Sequence, residues 1–398
     1  MKYCTNCLLP ETHETIEFDE KGVCNICRQI EYKKDNIDWD EKFKDFEKIL
    51  DVYRGKNTYD CIVPFSGGKD SVYTLWMLVK VFKLKCLVVS FDHGFYRPKL
   101  LDNRERVFKQ LGVESIIYRP NWLTTRKTML ETLIRKGDFC WHCHSGIFAY
   151  PMQIAINYKV PLVIWGEPQA EYTAYYSYED TLNETEEVDE KRFNRFVNLG
   201  ITADDMQGML NDPEMDSRDL DPFKYPALRD LKKINYRSIC LGSYIPWDVK
   251  KQVQLIKDEL GWEEDLNAGI PPEYGYEKVE CAVQGIRDYL RYIKRGYGRT
   301  THLATIDIRN KRLTREEGKK LVDEYDGKRP ENLDYFLEML SLTEEEFIDI
   351  ASSHVVSPNE NDFAQIITGP RLPDRDKWDK SAPLSREYTE KKLKEHGF

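Results

Sequence analysis

The sequence predicts an α/β protein in which a parallel sheet forms the central region, preceded by a small cysteine module and followed by a mostly helical region. Three observations support this prediction. Four cysteines lie within the first thirty residues, short apolar runs alternate with helical stretches from Tyr59 onward, and strand signals stop after Lys250. We therefore divide the chain into residues 1–35, 56–250 and 251–398.

Four short apolar runs are the candidate strands of the central region. They are Cys61–Pro64, Cys86–Phe91, Ser115–Tyr118 and Pro161–Trp165. Helical stretches separate them, and this alternation is typical of a parallel sheet. In the C-terminal region, amphipathic patterns predict helices around Val279–Ile293, Leu313–Tyr325, Leu333–Leu340 and Thr343–Ile350.

Length and composition limit the classes of protein to which the chain can belong. With 398 residues and 41% hydrophobic composition, it can bury a sizeable core. Its net charge of −10 argues against a protein that mainly binds a long nucleic-acid duplex. No apolar stretch approaches the ~20 residues that cross a bilayer and no signal peptide is visible, so we expect no membrane span and a cytoplasmic location. Seven acidic residues between Glu179 and Glu190 predict a solvated or mobile loop.

The first four cysteines have the spacing of a structural metal site. Cys4 and Cys7 form one CxxC pair, Cys24 and Cys27 form another, and sixteen residues lie between the pairs. This spacing predicts one Zn²⁺ held by four thiolates, without which the first thirty residues would have no core. A closed site has no open coordination position, so we expect it to fold and dock the module.

A candidate phosphate-binding loop is formed by Ser66-Gly67-Gly68-Lys69-Asp70-Ser71. It follows the apolar run at 61–65 and precedes a helical apolar pattern that begins at Val72. Adjacent glycines let main-chain amides approach a ligand closely, and the next helix directs its N-terminal N–H groups to the same point. Lys69 adds an ammonium. No glycine stands five residues before the Gly-Lys step, which excludes the GxxxxGK[ST] loop of phosphoryl-transfer enzymes.

This segment resembles the SGGxDS signature of the PP-loop ATP pyrophosphatases, which split ATP between its α and β phosphates and pass AMP to a substrate. The resemblance implies that the whole loop binds ATP and that Lys69, Asp70 and Ser71 act in catalysis. It extends to the second strand, where Asp92 and His93 lie in the stretch that borders the adenosine.

The end of the fourth candidate strand completes the predicted ATP site. Gly166 and Glu167 follow Trp165 at the carboxyl edge of the sheet, where open α/β folds bind ligands. We predict that Gly166 contacts ATP and that Glu167 or Glu171 holds Mg²⁺ through its carboxylate. The alternative is that each acid is a solvated loop residue.

Cys140 and Cys143 form a third CxxC pair, whose distant partner would be Cys240 or Cys281. In PP-loop enzymes that thiolate tRNA, a CxxC ahead of the fourth strand and a later third cysteine hold an iron–sulfur cluster. The order Cys140, Cys143, Cys240 resembles that arrangement and implies a second metal site.

Two other interpretations of this pair stay open. His142 and His144 offer ligands of the kind that zinc uses, and simple packing of buried thiols needs no metal. The remaining cysteines are interpreted as apolar fillers of strands or helices: Cys61, Cys86 and Cys281.

Positive charge is concentrated in one segment of this acidic chain. Between residues 294 and 320, nine Lys or Arg residues accompany three Asp or Glu residues. Arginine forks suit a diphosphate or a carboxylate. We therefore predict that substrate is bound by Arg295, Arg299, Arg309 and Arg315. The alternative is a set of solvated charges on helix faces.

The Cys₄ module, the phosphate loop, the Cys140–Cys143 pair and the stretch from Gly296 to Gly318 together give nearly the whole chain a resemblance to the N-acetyl sugar amidotransferases. These enzymes act in bacterial surface-polysaccharide pathways, such as lipopolysaccharide and O-antigen synthesis, and in nonulosonic-acid pathways. The resemblance implies that the acetamido group of a sugar or nucleotide sugar is adenylylated and then converted by ammonia to an acetamidino group. The alternative function is a tRNA-thiolating enzyme with the same adenylating core.

A source of ammonia is not visible in the sequence. Glutamine-hydrolysing enzymes need a cysteine nucleophile at an exposed N-terminus or on an elbow between small residues. Lys2 follows Met1, and no cysteine has a Gly-x-Cys-x-Gly setting. We therefore expect a glutaminase on a separate chain, and the family resemblance implies a HisH-like glutaminase and a HisF-like barrel subunit as partners.

Overall fold

The computed structural model describes residues 1–168, 170, 193–210, 216–265 and 269–359. The predicted acidic loop at 179–190 and the candidate Mg²⁺ ligand Glu171 lie outside these residues. Within them, the chain forms an N-terminal cysteine module, a parallel sheet flanked by helices, and a helical C-terminal region. The predicted fold class is therefore confirmed.

The sheet of the described residues has five strands, all parallel, in the order β3-β2-β1-β4-β5. The strands are β1 (Cys61–Pro64), β2 (Cys86–Phe91), β3 (Glu114–Tyr118), β4 (Leu162–Trp165) and β5 (Arg237–Cys240). The four predicted strands are present. β5 is missing from the prediction because four residues that begin with Arg-Ser carry no recognisable apolar run. Its pairing with β4, where Trp165 lies opposite Cys240, is what makes it a strand.

The strand order creates a ligand-binding position at the carboxyl edge of the sheet. The chain runs from β1 outward to β2 and β3, and then returns to place β4 on the other side of β1. Open α/β sheets bind ligands at such a reversal, outside the carboxyl ends of the strands. The loop after β1 is the candidate phosphate loop, and Gly166 follows β4 at the same edge.

Nine described α-helices precede the C-terminal region. They are α1 (Asn25–Asn36), α2 (Trp39–Tyr53), α3 (Lys69–Trp76), α4 (Pro98–Leu111), α5 (Trp122–Lys136), α6 (Trp141–Tyr158), α7 (Ala203–Leu210), α8 (Leu228–Lys233) and α9 (Val249–Leu260). Asp38 and Asp248 cap α2 and α9 by accepting backbone N–H bonds, while Gly112 and Gly137 end α4 and α5 in the left-handed conformation. Along the described residues, every helix falls short of the length and apolarity that would let it cross a membrane.

The described part of the C-terminal region contains five further α-helices. They are α10 (Gln284–Arg295), α11 (Arg299–Arg309), α12 (Arg315–Tyr325), α13 (Leu333–Leu340) and α14 (Glu344–Ser353). Capping boxes begin α12 at Thr314 and α14 at Thr343. A buried apolar cluster that includes Leu133, Leu290 and Phe336 joins α10, α13 and α14 to α5. This packing fixes the C-terminal region against the sheet domain.

Two observations bear on the predicted domain boundaries. α9 begins at Val249 and packs against α3, so the predicted boundary at residue 250 cuts a helix of the sheet domain. The N-terminal module contacts the C-terminal region, since the hydroxyl of Thr12 donates to the carbonyl of Arg295 at 2.6 Å. The N-terminal module is thus in contact with α10 of the C-terminal region.

Candidate active site

The candidate phosphate loop joins β1 to α3 and is organised by its own hydroxyl groups. The amide of Gly67 donates to Ser71 Oγ at 3.1 Å, and the hydroxyl of Ser71 donates to the carbonyl of Gly68 at 3.1 Å. Gly67 has φ +87°, a conformation that other residues rarely adopt. α3 then begins at Lys69, so its free N–H groups face the loop.

A cavity of about 290 Å³ opens in front of this loop, and we call it the phosphate-loop cavity. Five of the predicted loop residues line it: Ser66, Gly68, Lys69, Asp70 and Ser71. His93 from the end of β2 and Gly166 with Glu167 from the end of β4 line it as well. The structure therefore brings these predicted ATP-site residues together at one point.

Lys69 is buried and paired with two carboxylates. Its side chain is 5% exposed, and its ammonium lies 2.6 Å from Asp70 Oδ2 and 2.8 Å from Glu277 Oε1. Sequence reasoning did not find Glu277, since a single glutamate more than 200 residues from the loop carries no local signal. The loop lysine is thus held by the C-terminal region before any phosphate arrives.

The residues after Glu277 cover the loop. A Cβ added to Gly68 would lie 2.8 Å from Glu280 Oε2, which puts the Glu280 carboxylate directly against the phosphate loop. Lys278 Nζ lies 3.7 Å from Glu280 Oε1, and its backbone has φ +50°. A non-glycine residue in this conformation is uncommon and concentrates at functional positions. We refer to residues 277–281 as the covering segment.

Asp70 and Glu167 form a carboxyl pair next to Lys69. Burial would raise the pKa of Asp70, but the Lys69 ammonium and the contact with Glu167 lower it. Burial raises the pKa of Glu167 to about 8, and the Asp70 carboxylate adds to the shift. Glu167 therefore holds a proton near neutral pH, which a divalent cation between the two carboxylates would displace.

The other predicted ATP-site residues differ in their contacts. Asp92 is buried, accepts the Gly94 amide at 2.9 Å and pairs with Arg119, so its carboxylate is engaged in the protein. Gly166 has a steric role, because a Cβ there would lie 2.7 Å from Thr74 Oγ1 on α3. That close approach brings the end of β4 against the start of the loop helix.

The four N-terminal cysteines lie close enough to share one ion. Their Sγ atoms are all within 4.8 Å of one another, and no other group of three or more candidate ligands this close occurs among the described residues. Cys4 to Cys27 and Cys7 to Cys24 are each 3.9 Å between sulfur atoms. Zn–S bonds of about 2.3 Å imply a tetrahedral edge near 3.8 Å, so the four thiols fit a metal ion.

Cys140, Cys143 and Cys240 all line the phosphate-loop cavity, together with Cys281. Cys281 also packs against the apolar cluster of the C-terminal region, as its interpretation as an apolar filler expects. Cys61 and Cys86 agree with that interpretation, because they are buried on neighbouring strands with their sulfur atoms 3.6 Å apart. The four N-terminal cysteines face one another, whereas this second group lines a cavity.

The histidines beside this second group have separate surroundings. His144 lines the cavity, whereas His142 is 2% exposed. Neither ring nitrogen of His142 has a hydrogen-bond partner within the described residues. Burial lowers the pKa of both rings to about 3, so both are neutral at physiological pH.

The four predicted substrate-binding arginines are dispersed. Arg315 Nε donates to the carbonyl of Cys7 at 3.0 Å, and Arg295 Nε lies 3.1 Å from Glu14 Oε1. These contacts hold the N-terminal module, which corrects the expectation that both arginines face a substrate. Arg309 is also buried.

Arg299 differs from the other three arginines because it lines an open cavity. Its guanidinium forms a buried ion pair with Asp288, whose Oδ1 is 3.1 Å from Arg299 Nη2. Substrate binding by Arg299 therefore stays a prediction.

The parallel sheet, its strand reversal and the glycine loop after β1 define an open α/β protein with a candidate nucleotide site at the carboxyl edge of the sheet. Residues 273–385 match the family model described as "LPS biosynthesis protein WbpG-like, C-terminal domain". This match covers less than a third of the chain, and over that region it agrees with the resemblance to the N-acetyl sugar amidotransferases. The covering segment lies inside the matched region.

Two individual proteins are also similar to this chain. An uncharacterised protein of Methanocaldococcus jannaschii, MJ1599, is 29% identical over 143 residues, which are 35% of this chain and 50% of that protein. The chain therefore spans about half the length of this relative. Among solved structures, the U34-tRNA thiolase NcsA from Methanococcus maripaludis with its [4Fe-4S] cluster matches at 13% identity and a TM-score of 0.35, over 86% of this chain and 90% of that one.

Proposed function

We propose that this protein is an ATP-dependent, AMP-forming amidotransferase that acts on the acetamido group of a sugar, free or nucleotide-linked. The observation that carries the proposal is the phosphate-loop cavity at the carboxyl edge of the sheet, closed on one side by a segment of the WbpG-like domain. The candidate phosphate loop thus shares its cavity with a region that is similar to a domain of lipopolysaccharide biosynthesis proteins.

The reaction follows from the weakness of amide oxygen as a leaving group. In the proposed first step, the acetamido oxygen attacks the α-phosphate of ATP, an O–P bond forms and pyrophosphate leaves. In the second, ammonia adds to the imidate carbon, AMP departs with the oxygen, and loss of a proton gives the acetamidino group. Amides of the loop and Lys69 would stabilise the charge that develops on the departing pyrophosphate.

Mg²⁺ would enter between the carboxylates of Asp70 and Glu167. A dianionic pair suits a hard cation, and Glu280 on the covering segment adds a third acid against the loop. Phosphate oxygens entering the loop would otherwise meet the Glu280 carboxylate at short range. We therefore propose that ATP binds together with Mg²⁺ and that the cation separates these negative groups.

We propose ammonia as the nitrogen donor of the isolated chain and a separate glutaminase as its natural source. The test is a mass-spectrometric assay with ATP, acetamido sugars, and one of three donors: ammonium at alkaline pH, glutamine or sulfide. We expect AMP, pyrophosphate and an acetamidino product with ammonium, and no product with glutamine. Product from glutamine by the chain alone, or incorporation of sulfide in place of nitrogen, would overturn the proposal.

A second candidate function is supported by the cysteines that line the same cavity. Cys140, Cys143 and Cys240 beside the phosphate loop would suit a tRNA-thiolating enzyme with an iron–sulfur cluster. Iron analysis of anaerobically purified protein distinguishes the two functions. Several iron atoms per chain, lost on substitution of Cys143, would favour thiolation.

A further inference from the structure

A second cavity of about 340 Å³ lies in the C-terminal region, and we call it the C-terminal cavity. One wall is formed by Gln284, Gly285 and Tyr289 of α10. The opposite wall is the connection between α12 and α13, residues 326–332. Its volume lies at the lower end of the range for small-molecule sites and accommodates one sugar ring with substituents.

The C-terminal cavity adjoins the phosphate-loop cavity. Lys278 and Gln284 line both spaces. Glu277, which holds the loop lysine Lys69 at 2.8 Å, lines the C-terminal cavity as well. The covering segment is thus the partition between the place for phosphates and the second space.

The charges of the lining indicate an uncharged ligand. Five acidic and four basic side chains line the cavity, so it has no excess of positive charge to attract a diphosphate. The buried charges of the lining are paired within the protein, since Asp288 pairs with Arg299 at 3.1 Å and Glu277 pairs with Lys69 at 2.8 Å. Tyr289 and Tyr325 add aromatic surface, and apolar rings beside hydrogen-bonding groups suit the two kinds of surface on a hexose.

We propose that the C-terminal cavity binds the acetamido sugar ring, with the acetamido group directed past Lys278 toward the phosphate loop. This inference rests on the proposed function for the direction of the ring, and it assigns the acceptor a site that the loop alone does not provide. A nucleotide attached to the sugar would extend out of the cavity, away from its mixed-charge interior.

Gly285 allows the cavity to be filled without disturbing the helix. A Cβ at this position meets only Pro330 Cβ at 3.7 Å, which is ordinary van der Waals contact. Gly285→Phe therefore projects a ring into the space, and Gly285→Leu is a smaller second variant. Gly208→Phe on α7 is the matched control, because a Cβ there has no neighbour within 4 Å.

The experiment measures binding of N-acetylglucosamine, N-acetylgalactosamine and their UDP-linked forms by titration calorimetry, and binding of ATP separately. We expect at least one sugar to bind the unaltered protein and to bind Gly285→Phe or Gly285→Leu at least about tenfold more weakly, or about 1.4 kcal/mol. Gly208→Phe should match the unaltered protein, and all folded variants should bind ATP equally. Failure of every sugar to bind, or equal sugar affinity in the folded Gly285 variants, would overturn the inference.

Turnover separates this inference from the proposed function. A sugar that binds in a Gly285-dependent way but yields no AMP in the presence of ammonium would refute the amidotransferase proposal and leave the site assignment standing. Sugar-dependent AMP formation that is unchanged in Gly285→Phe would refute the site assignment and leave the amidotransferase proposal standing.

Discussion

The N-terminal cysteine module and the wall of the phosphate-loop cavity both contain CxxC pairs, yet their surroundings differ. Cys4, Cys7, Cys24 and Cys27 face one another within 4.8 Å. Cys140 and its neighbours face a cavity that also holds a buried lysine and several carboxylates. The same local spacing thus forms a closed ligand set in one region and part of an open site in the other. The two regions differ because two CxxC turns meet in the N-terminal module, whereas Cys140 and Cys143 form a single CxxC turn at the cavity.

Charges show the same contrast. Arg315 of α12 donates to the carbonyl groups of Cys7 and Cys4, so this cation holds the N-terminal module against the C-terminal region. The cavity keeps Lys69 between Asp70 and Glu277, a pairing that an anionic ligand can exchange. The polar contacts of the N-terminal module therefore stabilise the fold. The ion pairs of Lys69 leave an ammonium at the cavity that is suited to bind a phosphate.

The largest loss of stability should come from removing one cysteine of the N-terminal Cys₄ group. We expect Cys24→Ser to lose the bound metal and to lower the free energy of unfolding by on the order of 5 kcal/mol, because binding energy of a structural metal is folding energy. Metal analysis and thermal melting measure both. Cys281→Ser is the control and should retain one zinc per chain. Unchanged zinc in Cys24→Ser would remove the Cys₄ assignment.

Replacing the loop lysine should be next in size. We expect Lys69→Met to reduce pyrophosphate release about 10²–10³-fold through lost charge stabilisation. Since Lys69 is buried rather than on an exposed loop, the variant should also lose about 3 kcal/mol of stability, because two carboxylates are left unpaired. Chemical denaturation and a pyrophosphate assay measure the two effects.

The double variant Lys69→Met/Glu277→Gln separates these effects. It should recover part of the stability without recovering activity, because the buried carboxylate is removed but the ammonium is still missing. Near-normal pyrophosphate release in either variant would contradict the role of Lys69.

The carboxyl pair predicts a pH dependence of intermediate size. The folded-state pKa of Glu167 is raised to about 8, so the folded protein keeps a proton that the unfolded chain releases at lower pH. Without Mg²⁺, we expect stability to fall between about pH 5 and 8, by on the order of 2 kcal/mol, and Glu167→Gln to abolish this part of the slope. Denaturation at several pH values tests it. Mg²⁺ binding should release a proton in the unaltered protein alone, as measured by calorimetry in buffers of different ionisation enthalpy.

The smallest effect is expected from the open cysteine group. Because Cys140 packs without a close ligand set, Cys140→Ser should leave the metal content unchanged and cost about 1 kcal/mol of stability. Zinc and iron analysis beside a thermal melt provides the measurement. Loss of iron or zinc in this variant would show a second metal site and would make the two cysteine regions alike.

Local sequence was sufficient for part of this fold. Strands β1 to β4 and helix α13 follow from apolar runs and helical periodicity, and the phosphate loop follows from its glycines and its position between strand and helix. β5 depends on its pairing with β4, and the basic segment at 294–320 divides among different neighbours. Four of its arginines looked equivalent in the sequence, yet two bind the N-terminal module and Arg299 pairs with Asp288.

By itself, the sequence determined the parallel α/β class, the Cys₄ spacing and the position of the candidate phosphate loop between strand and helix, because each of these depends on residues close together in the chain. Tertiary structure alone decided that Glu277 holds Lys69, that Glu280 lies against Gly68 and that Lys278 stands between two cavities. Those contacts join residues about 200 positions apart. They arise because the apolar cluster of α5, α10, α13 and α14 fixes the C-terminal region over the edge of the sheet, and no local pattern encodes that meeting.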